Sequence, residues 1–297
     1  MQDKLDTLDF VVLDGATGTE LEKLGYTGIW EGHPIQLSEP DVLLQIHTNY
    51  LDRGADLIIA NTYSANRNVI SNVKDAIDSA VRVAKKAVLG KGGIVAGSIS
   101  NHPAGGKSDA IWPSEEQELA NYTESVTLLI KNDVDVIFAE MLKDQYHSGL
   151  ILRAYEDACD LLEKAVPFYM GLTVEFRNNV IFLRDDDVTL ADYITFLKST
   201  PYYELIKGYN IMHSPIETIS AATVVLRDHG IKRIGAYPNQ GIYSPPFYNV
   251  SEPISVKDFL KYARIWRDQG VSMIGGCCGF GPEYIEALSA LRAETIH

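Results

Sequence analysis

The sequence predicts a (β/α)8 barrel in a single domain, residues 1–297, and three observations carry that prediction. Short apolar, β-branched runs alternate eight times with segments of helical apolar spacing, and eight such units are the number that closes a barrel of parallel strands. The length, 297 residues, matches such a barrel with modest loop insertions. The rival architecture, an open doubly wound sheet, carries a G-x-G-x-x-G turn after its first strand; Asp14-Gly15-Ala16-Thr17-Gly18-Thr19-Glu20 does not match.

The strand runs fall at 10–13, 57–60, 94–97, 134–138, 168–172, 205–211, 233–236 and 272–275. Helical spacing is clearest at 40–53, 76–89, 114–131, 146–164, 189–199, 216–229, 255–269 and 282–292. Start signals stand at Ser38-Glu39-Pro40, Pro113-Ser114-Glu115-Glu116 and Gly281-Pro282-Glu283. Gly54, Gly230 and Gly270 each follow a periodic stretch, where a left-handed residue ends a helix. The charge run Arg184-Asp185-Asp186-Asp187 is read as capping the next helix, and 103–106 and 243–250 as longer loops over the barrel mouth. No linker or low-complexity tract divides the chain.

Composition narrows the function. The chain is 46% hydrophobic and 22% charged, which is ordinary for a globular protein and excludes a disordered or collagen-like one. Forty acidic against 26 basic side chains give a net charge of −14, so the average surface repels phosphate backbones and anionic lipid; neither nucleic acid nor membrane is expected as a partner. Three cysteines, two of them adjacent, make no disulfide framework, and with no leader or spanning segment in view the expectation is a cytoplasmic protein.

In a barrel of this kind the chemistry sits at the carboxyl ends of the strands. Those ends read Asp14-Gly15, Asn61-Thr62-Tyr63, Ser98, Glu140, Thr173 to Glu175, Asn210 to His213, Tyr237-Pro238-Asn239 and Gly276-Cys277-Cys278-Gly279. Adjacent thiols in a glycine-rich turn can both reach one soft ion such as zinc; two small buried residues are the plainer alternative. Cys159, inside a helical pattern, reads as core. Glu140 follows Val136-Ile137-Phe138-Ala139 and is costly there without a ligand or partner, whereas Asp14 could equally accept hydrogen bonds from loop amides. His213 is close enough in sequence to the sixth strand end to ligate a metal if the loop turns inward, or it is a satisfied loop histidine. His102 could serve as a base or lie on a surface loop. Tyr63, Tyr237 and Tyr243 are candidates to line a pocket.

Taken together, the segments 13–21, Asn61-Thr62-Tyr63, Gly97-Ser98-Ile99, Ala139-Glu140, Tyr237-Pro238-Asn239 and Gly275-Gly276-Cys277-Cys278-Gly279 resemble the homocysteine S-methyltransferases. The likeness runs nearly end to end and includes the Trp30 segment, Gly54-Ala55-Asp56 and Gly281-Pro282-Glu283. It implies a (β/α)8 barrel that moves a methyl group from a sulfonium or ammonium donor to a thiol, homocysteine, giving methionine. It implies zinc held by Cys277, Cys278 and a third cysteine after the sixth strand. Here Ile211 stands at that third position, and His213 is the candidate replacement. The acceptor's amino-acid end is assigned to Asp14, Gly15 and Glu140, with Glu140 also the catalytic candidate; Tyr63, Asn210 and Tyr237 complete the expected substrate contacts. No cobalamin is expected, because the chain is too short for the folate and cobalamin modules of the large methionine synthases. A divergent methyltransferase without zinc, or a non-catalytic binding protein using the same carboxylates, are the alternatives.

Overall fold

A computed structural model describes residues 4–26, 34–101, 113–244 and 247–294. Trp30, His102 and the stretch 103–106 lie outside them. A 3-10 turn, Lys4–Thr7, precedes strand β1 (Val11–Val12), followed by α1 (Thr17–Lys23), α2 (Ile35–Ser38), α3 (Pro40–Asp52) and β2 (Leu57–Ile59). Then come α4 (Val73–Val88), β3 (Ile94–Ser100), α5 (Glu115–Lys131), β4 (Val136–Leu142), α6 (Gln145–Leu162) and β5 (Phe168–Leu172). A hairpin of β6 (Val174–Arg177) and β7 (Val180–Leu183) intervenes before α7 (Leu190–Ser199), β8 (Ile206–Pro215), α8 (Thr218–Asp228) and β9 (Ile234–Asn239). A second hairpin, β10 (Ile242–Ser244) and β11 (Phe247–Asn249), precedes α9 (Val256–Asp268), β12 (Met273–Ile274) and α10 (Pro282–Ala293).

Eight of these strands form one all-parallel sheet in the order β1, β12, β9, β8, β5, β4, β3, β2, so each consecutive pair in sequence is joined by a helical crossover. The ends of that order meet at a seam closed by one backbone bond and by two carboxylates. Asp56 N–H donates to the Val12 carbonyl (2.7 Å) and its carboxylate accepts from Val12 N–H (2.8 Å), while Arg292 holds the same carboxylate from outside. At the other end of the seam, Asp14 Oδ2 accepts from Ile59 N–H at 2.8 Å. A carboxylate thus completes the barrel where strands of two and three residues leave ladder groups unpaired.

Strand alternation divides the apolar residues into two layers. Leu57, Ala96, Val136, Phe138, Tyr169, Met212 and Met273 face the barrel axis, with Leu5 packed among them. Their neighbours Ile58, Val95, Ile137, Ile211, Ala236 and Ile274 face the helices. Extending the inward period by one step beyond Val136 and Phe138 delivers Glu140 to the mouth of the barrel.

The expected helix ends are present: Gly54, Gly230 and Gly270 have φ of +93°, +78° and +91°. Ser114 and Thr189 cap α5 and α7 by accepting from Gln117 N–H and Asp192 N–H. Cys159 is half-buried and packs partly against the outer core.

Three expectations are corrected. Residues 184–187 do not cap α7; Asp185 has φ +63° and the run forms a turn at the foot of the first hairpin, the cap being Thr189. The stretch 243–250, read as a loop, holds most of the second hairpin. Strands β4 and β8 run to Leu142 and Pro215, beyond their apolar runs, because each contains an irregularity that carries polar residues into the cavity.

Candidate active site

The two strand irregularities shape the site. Register slips between Ala139 and Leu142 in β4 and between Met212 and Pro215 in β8, and inside each slip a residue with a side chain takes positive φ: Met141 at +58° and His213 at +47°. Such conformations cost on the order of 1–3 kcal/mol each and persist where the surroundings over-determine them. Those surroundings are visible. Ser214 Oγ accepts from Val174 N–H at 2.9 Å and donates to the Met212 carbonyl at 2.8 Å, which locks the β8 bulge to the hairpin behind it.

The consequence is a turned imidazole. His213 Nδ1 lies 3.4 Å from Cys277 Sγ, and Cys277 Sγ lies 3.9 Å from Cys278 Sγ. One ligand atom from each of the three residues falls within 4.8 Å of the other two. In a tetrahedral zinc site with Zn–S near 2.3 Å and Zn–N near 2.0 Å, ligand atoms are separated by about 3.8 Å for two sulfurs and about 3.5 Å for sulfur and nitrogen. Two of the three edges are close to those figures and the third lies within 4.8 Å, and two thiols with one imidazole are a zinc-type donor set, so the residues present fit the ion. Three protein ligands leave a fourth position for a substrate.

Ile211 has no part in this cluster. It is fully buried in the layer between sheet and helices, on the same face of β8 as Tyr209. The imidazole that meets the two thiols comes from two residues further on, inside the bulge.

A cavity of about 870 Å³ opens over the triad, within the range of small-molecule sites. Asp14 and Glu140 line it and are buried, 1% and 8% exposed. Asp14 Oδ1 accepts from the Tyr237 hydroxyl at 3.0 Å while its second oxygen holds Ile59 N–H. Burial outweighs these hydrogen bonds and raises the Asp14 pKa to about 7. Burial first, and then the negative charge at Cys277, raise Glu140 to about 8. Cys277 is pushed the other way: the Cys278 thiol as donor, with His213 beside it, holds its thiol well below the usual range, while Cys278 is raised. One thiol of the pair is therefore prepared as a thiolate.

These shifts set a pH dependence. In the metal-free protein both carboxyls titrate near 4 when unfolded and near 7 to 8 when folded, so the folded state binds more protons between those limits. The stability they permit is complete below about pH 4 and is lost as pH rises through the folded values. Denaturant midpoints measured at pH 5.5 and 8.5 are expected to fall with rising pH, and less so in Asp14→Asn.

Of the other expected contacts, Tyr63 and Tyr237 line the cavity, Tyr63 donating to Met141 Sδ at 3.1 Å. Gly15 also lines it, and a side chain there would press within 2.5 Å of the Phe280 carbonyl. Tyr243 lines the cavity from β10. Asn210 does not: it is 3% exposed inside the barrel, packed over Gly235, with no hydrogen-bond partner for Oδ1 among the described residues. The β8 side chains that do line the cavity are Met212 and His213, followed by Pro215. Sequence reasoning missed Met141, Met212, Arg184 and Tyr248. Tyr248, from β11, sets its ring edge-on to His213 at 6.5 Å and is fixed by its hydroxyl donating to Asn239 Oδ1 at 2.7 Å.

Fold and site together define a (β/α)8-barrel enzyme whose mouth presents two thiols and an imidazole beside two buried carboxylates. The chain belongs to the homocysteine S-methyltransferase family, matching it over residues 11–291. It is 26% identical to homocysteine S-methyltransferase YbgG of Bacillus subtilis (strain 168), covering 98% of this chain and 96% of that one. It is 25% identical to S-methylmethionine–homocysteine S-methyltransferase BHMT2 of Pongo abelii, over 97% of this chain and 79% of that one. The fold resembles the metallated form of the homocysteine methyltransferase MmuM from Escherichia coli, with a TM-score of 0.73 at 23% identity over 97% and 98% of the two chains. No helix among the described residues is long and apolar enough to cross a membrane.

Proposed function

We propose that this protein transfers a methyl group from a sulfonium or ammonium donor to the thiol of homocysteine, giving methionine, with zinc held by Cys277, Cys278 and His213. The observation that carries the metal assignment is the pair of ligand separations, 3.4 Å and 3.9 Å, at the mouth of the barrel. Bound there, zinc lowers the pKa of an acceptor thiol and so supplies a nucleophile at neutral pH.

The chain's own residues do the rest. Asp14 and Glu140 receive the acceptor's ammonium group, and that charge replaces the solvation the two carboxyls lost on burial. Binding the ammonium as an ion pair requires an ionised carboxyl, so acceptor binding near neutral pH draws the protonated fraction of the pair down and releases protons into solution. Tyr237 holds Asp14 in place through its hydroxyl, and Tyr63 and Met141 wall the cavity beside Glu140. The reaction breaks one carbon–sulfur or carbon–nitrogen bond of the donor and forms one carbon–sulfur bond on the acceptor. The donor leaves neutral, and the thiol proton goes to solvent. The family's methyl-transfer chemistry and the reducing environment that free thiols need support a cytoplasmic setting.

The direct test incubates zinc-loaded protein with homocysteine and methyl-labelled S-methylmethionine or betaine. Labelled methionine that requires both zinc and homocysteine is expected. Absence of methionine with every onium donor, from protein that holds stoichiometric zinc, would overturn the reading.

A further inference from the structure

The two strand bulges lie on either side of β5, which stands between β4 and β8 in the sheet. In each bulge two residues oppose one: Glu140 and Met141 of β4 against Gly171 of β5, and His213 and Ser214 of β8 against Pro238 of β9. The residue opposite the first bulge is thus a glycine, and the Met212 thioether lies over it. A Cβ at Gly171 would collide with Met212 Sδ and stand 3.0 Å from the Ala139 carbonyl oxygen. Through that gap the Met212 side chain crosses β5, and Met141 N–H donates to Met212 Sδ at 3.3 Å. A thioether is a weak acceptor, but its unbranched, polarizable chain spans a strand and follows an irregular surface in a way that a branched side chain does not.

Met212 is held at both ends. Its carbonyl accepts from Ser214 Oγ at 2.8 Å, and that hydroxyl accepts in turn from Val174 N–H at 2.9 Å. Its sulfur meets the Met141 peptide, and the Met141 sulfur accepts from the Tyr63 hydroxyl at 3.1 Å. The residue that follows is His213, with φ of +47° and Nδ1 3.4 Å from Cys277 Sγ. Fixing the side chain and the carbonyl of Met212 fixes the peptide from which the imidazole leaves the strand.

On the zinc assignment made above, we propose that Met212 is a positioning residue of the metal site: its thioether, laid across Gly171 onto Met141 N–H, holds the β8 bulge in the form that turns His213 toward Cys277. Groups outside a ligand set that orient a ligand in this way are worth about 10- to 100-fold in metal affinity. Gly171 is the matching requirement on β5. It is buried and supplies no ligand, so its part is to leave room for the sulfur.

The test titrates zinc by calorimetry into the reduced, metal-free full chain and into Met212→Leu, Gly171→Ala, Met273→Leu and His213→Ala, with the denaturant midpoint of each measured without metal. Met212→Leu conserves volume and removes the sulfur acceptor, and is expected to weaken zinc by about 10-fold or more. Gly171→Ala displaces the same thioether from the β5 side and is expected to weaken zinc in the same range. Met273→Leu makes the same exchange at a fully buried position of the inner layer, on a strand that carries neither bulge. It should leave zinc affinity within about twofold of the unaltered chain while shifting the denaturant midpoint as much as Met212→Leu does. A loss under about 10-fold in Met212→Leu, or a comparable loss in Met273→Leu, would overturn the proposal, and these two variants decide it if Gly171→Ala does not fold. His213→Ala separates the two claims. If it leaves zinc affinity unchanged, the His213 ligand falls and the role of Met212 with it; if it abolishes binding while Met212→Leu does not weaken it, the positioning role alone falls.

Discussion

Replacing His213 with alanine is expected to abolish stoichiometric zinc binding. The unaltered chain, washed with chelator, reduced and refilled, should hold close to one zinc per chain; His213→Ala, Cys277→Ser and Cys278→Ser should each bind at least about 100-fold more weakly. Loss of one ligand from a three-residue set leaves two, and two do not hold zinc against a chelator. The informative control is Ile211→Cys. Ile211 is fully buried against the helices and is not a cavity residue, so a cysteine there meets apolar side chains and cannot join the set. Zinc affinity should not increase, and stability should fall by roughly 1–3 kcal/mol because a tightly packed isoleucine is cut back. A cysteine that instead tightened zinc and made His213 dispensable would show that β8 can rotate to present position 211.

Glu140→Gln is expected to cost roughly 30- to several-thousand-fold in kcat/KM for homocysteine, the range for truncating one partner of a buried charged pair. The amide keeps the volume and loses the charge that meets the acceptor's ammonium. The same change should stabilise the metal-free protein at pH 8. Glu140 titrates at about 8 when folded, so near that pH an ionised, buried carboxylate opposes folding, and glutamine removes the penalty. The sign reverses nowhere between pH 4 and 8; the advantage should shrink as pH falls and vanish below about pH 4, where the carboxyl is protonated in both states. Steady-state kinetics and denaturant midpoints at the two pH values check the two halves together. Lower activity with unchanged or lower stability would mean that Glu140 is structural.

The barrel was legible because its signal is repeated. Eight apolar runs, each followed by helical spacing and several by a terminating glycine, agree with one another, and local errors at element ends do not alter the count. The strand ends were legible for the same topological reason: Asp14, Glu140, Tyr237 and the Cys277-Cys278 turn are where parallel strands stop. What escaped was geometry that breaks the two-residue period. Asn210 and Ile211 belong to the regular part of β8, one facing the barrel axis and the other the helices, and neither reaches the cavity wall. His213 arrives there through a left-handed residue inside a bulge, a conformation no residue type announces. The hairpins were hidden for another reason. Their strands are three or four residues long and, apart from Val180–Leu183, mix polar with apolar residues, so Arg184 and Tyr248 had no periodic pattern to place them. The run of three aspartates was misread as a cap because its electrostatic partners, Lys143 and Arg177, lie on other elements or across the hairpin.

With isoleucine at position 211, the metal is expected to be held by Cys277, Cys278 and His213. X-ray absorption at the zinc edge of the refilled, reduced protein addresses that directly. Two sulfurs at about 2.3 Å and an imidazole nitrogen at about 2.0 Å are expected, with the imidazole scattering lost in His213→Ala. A spectrum with three sulfurs, or one unchanged by His213→Ala, would contradict it.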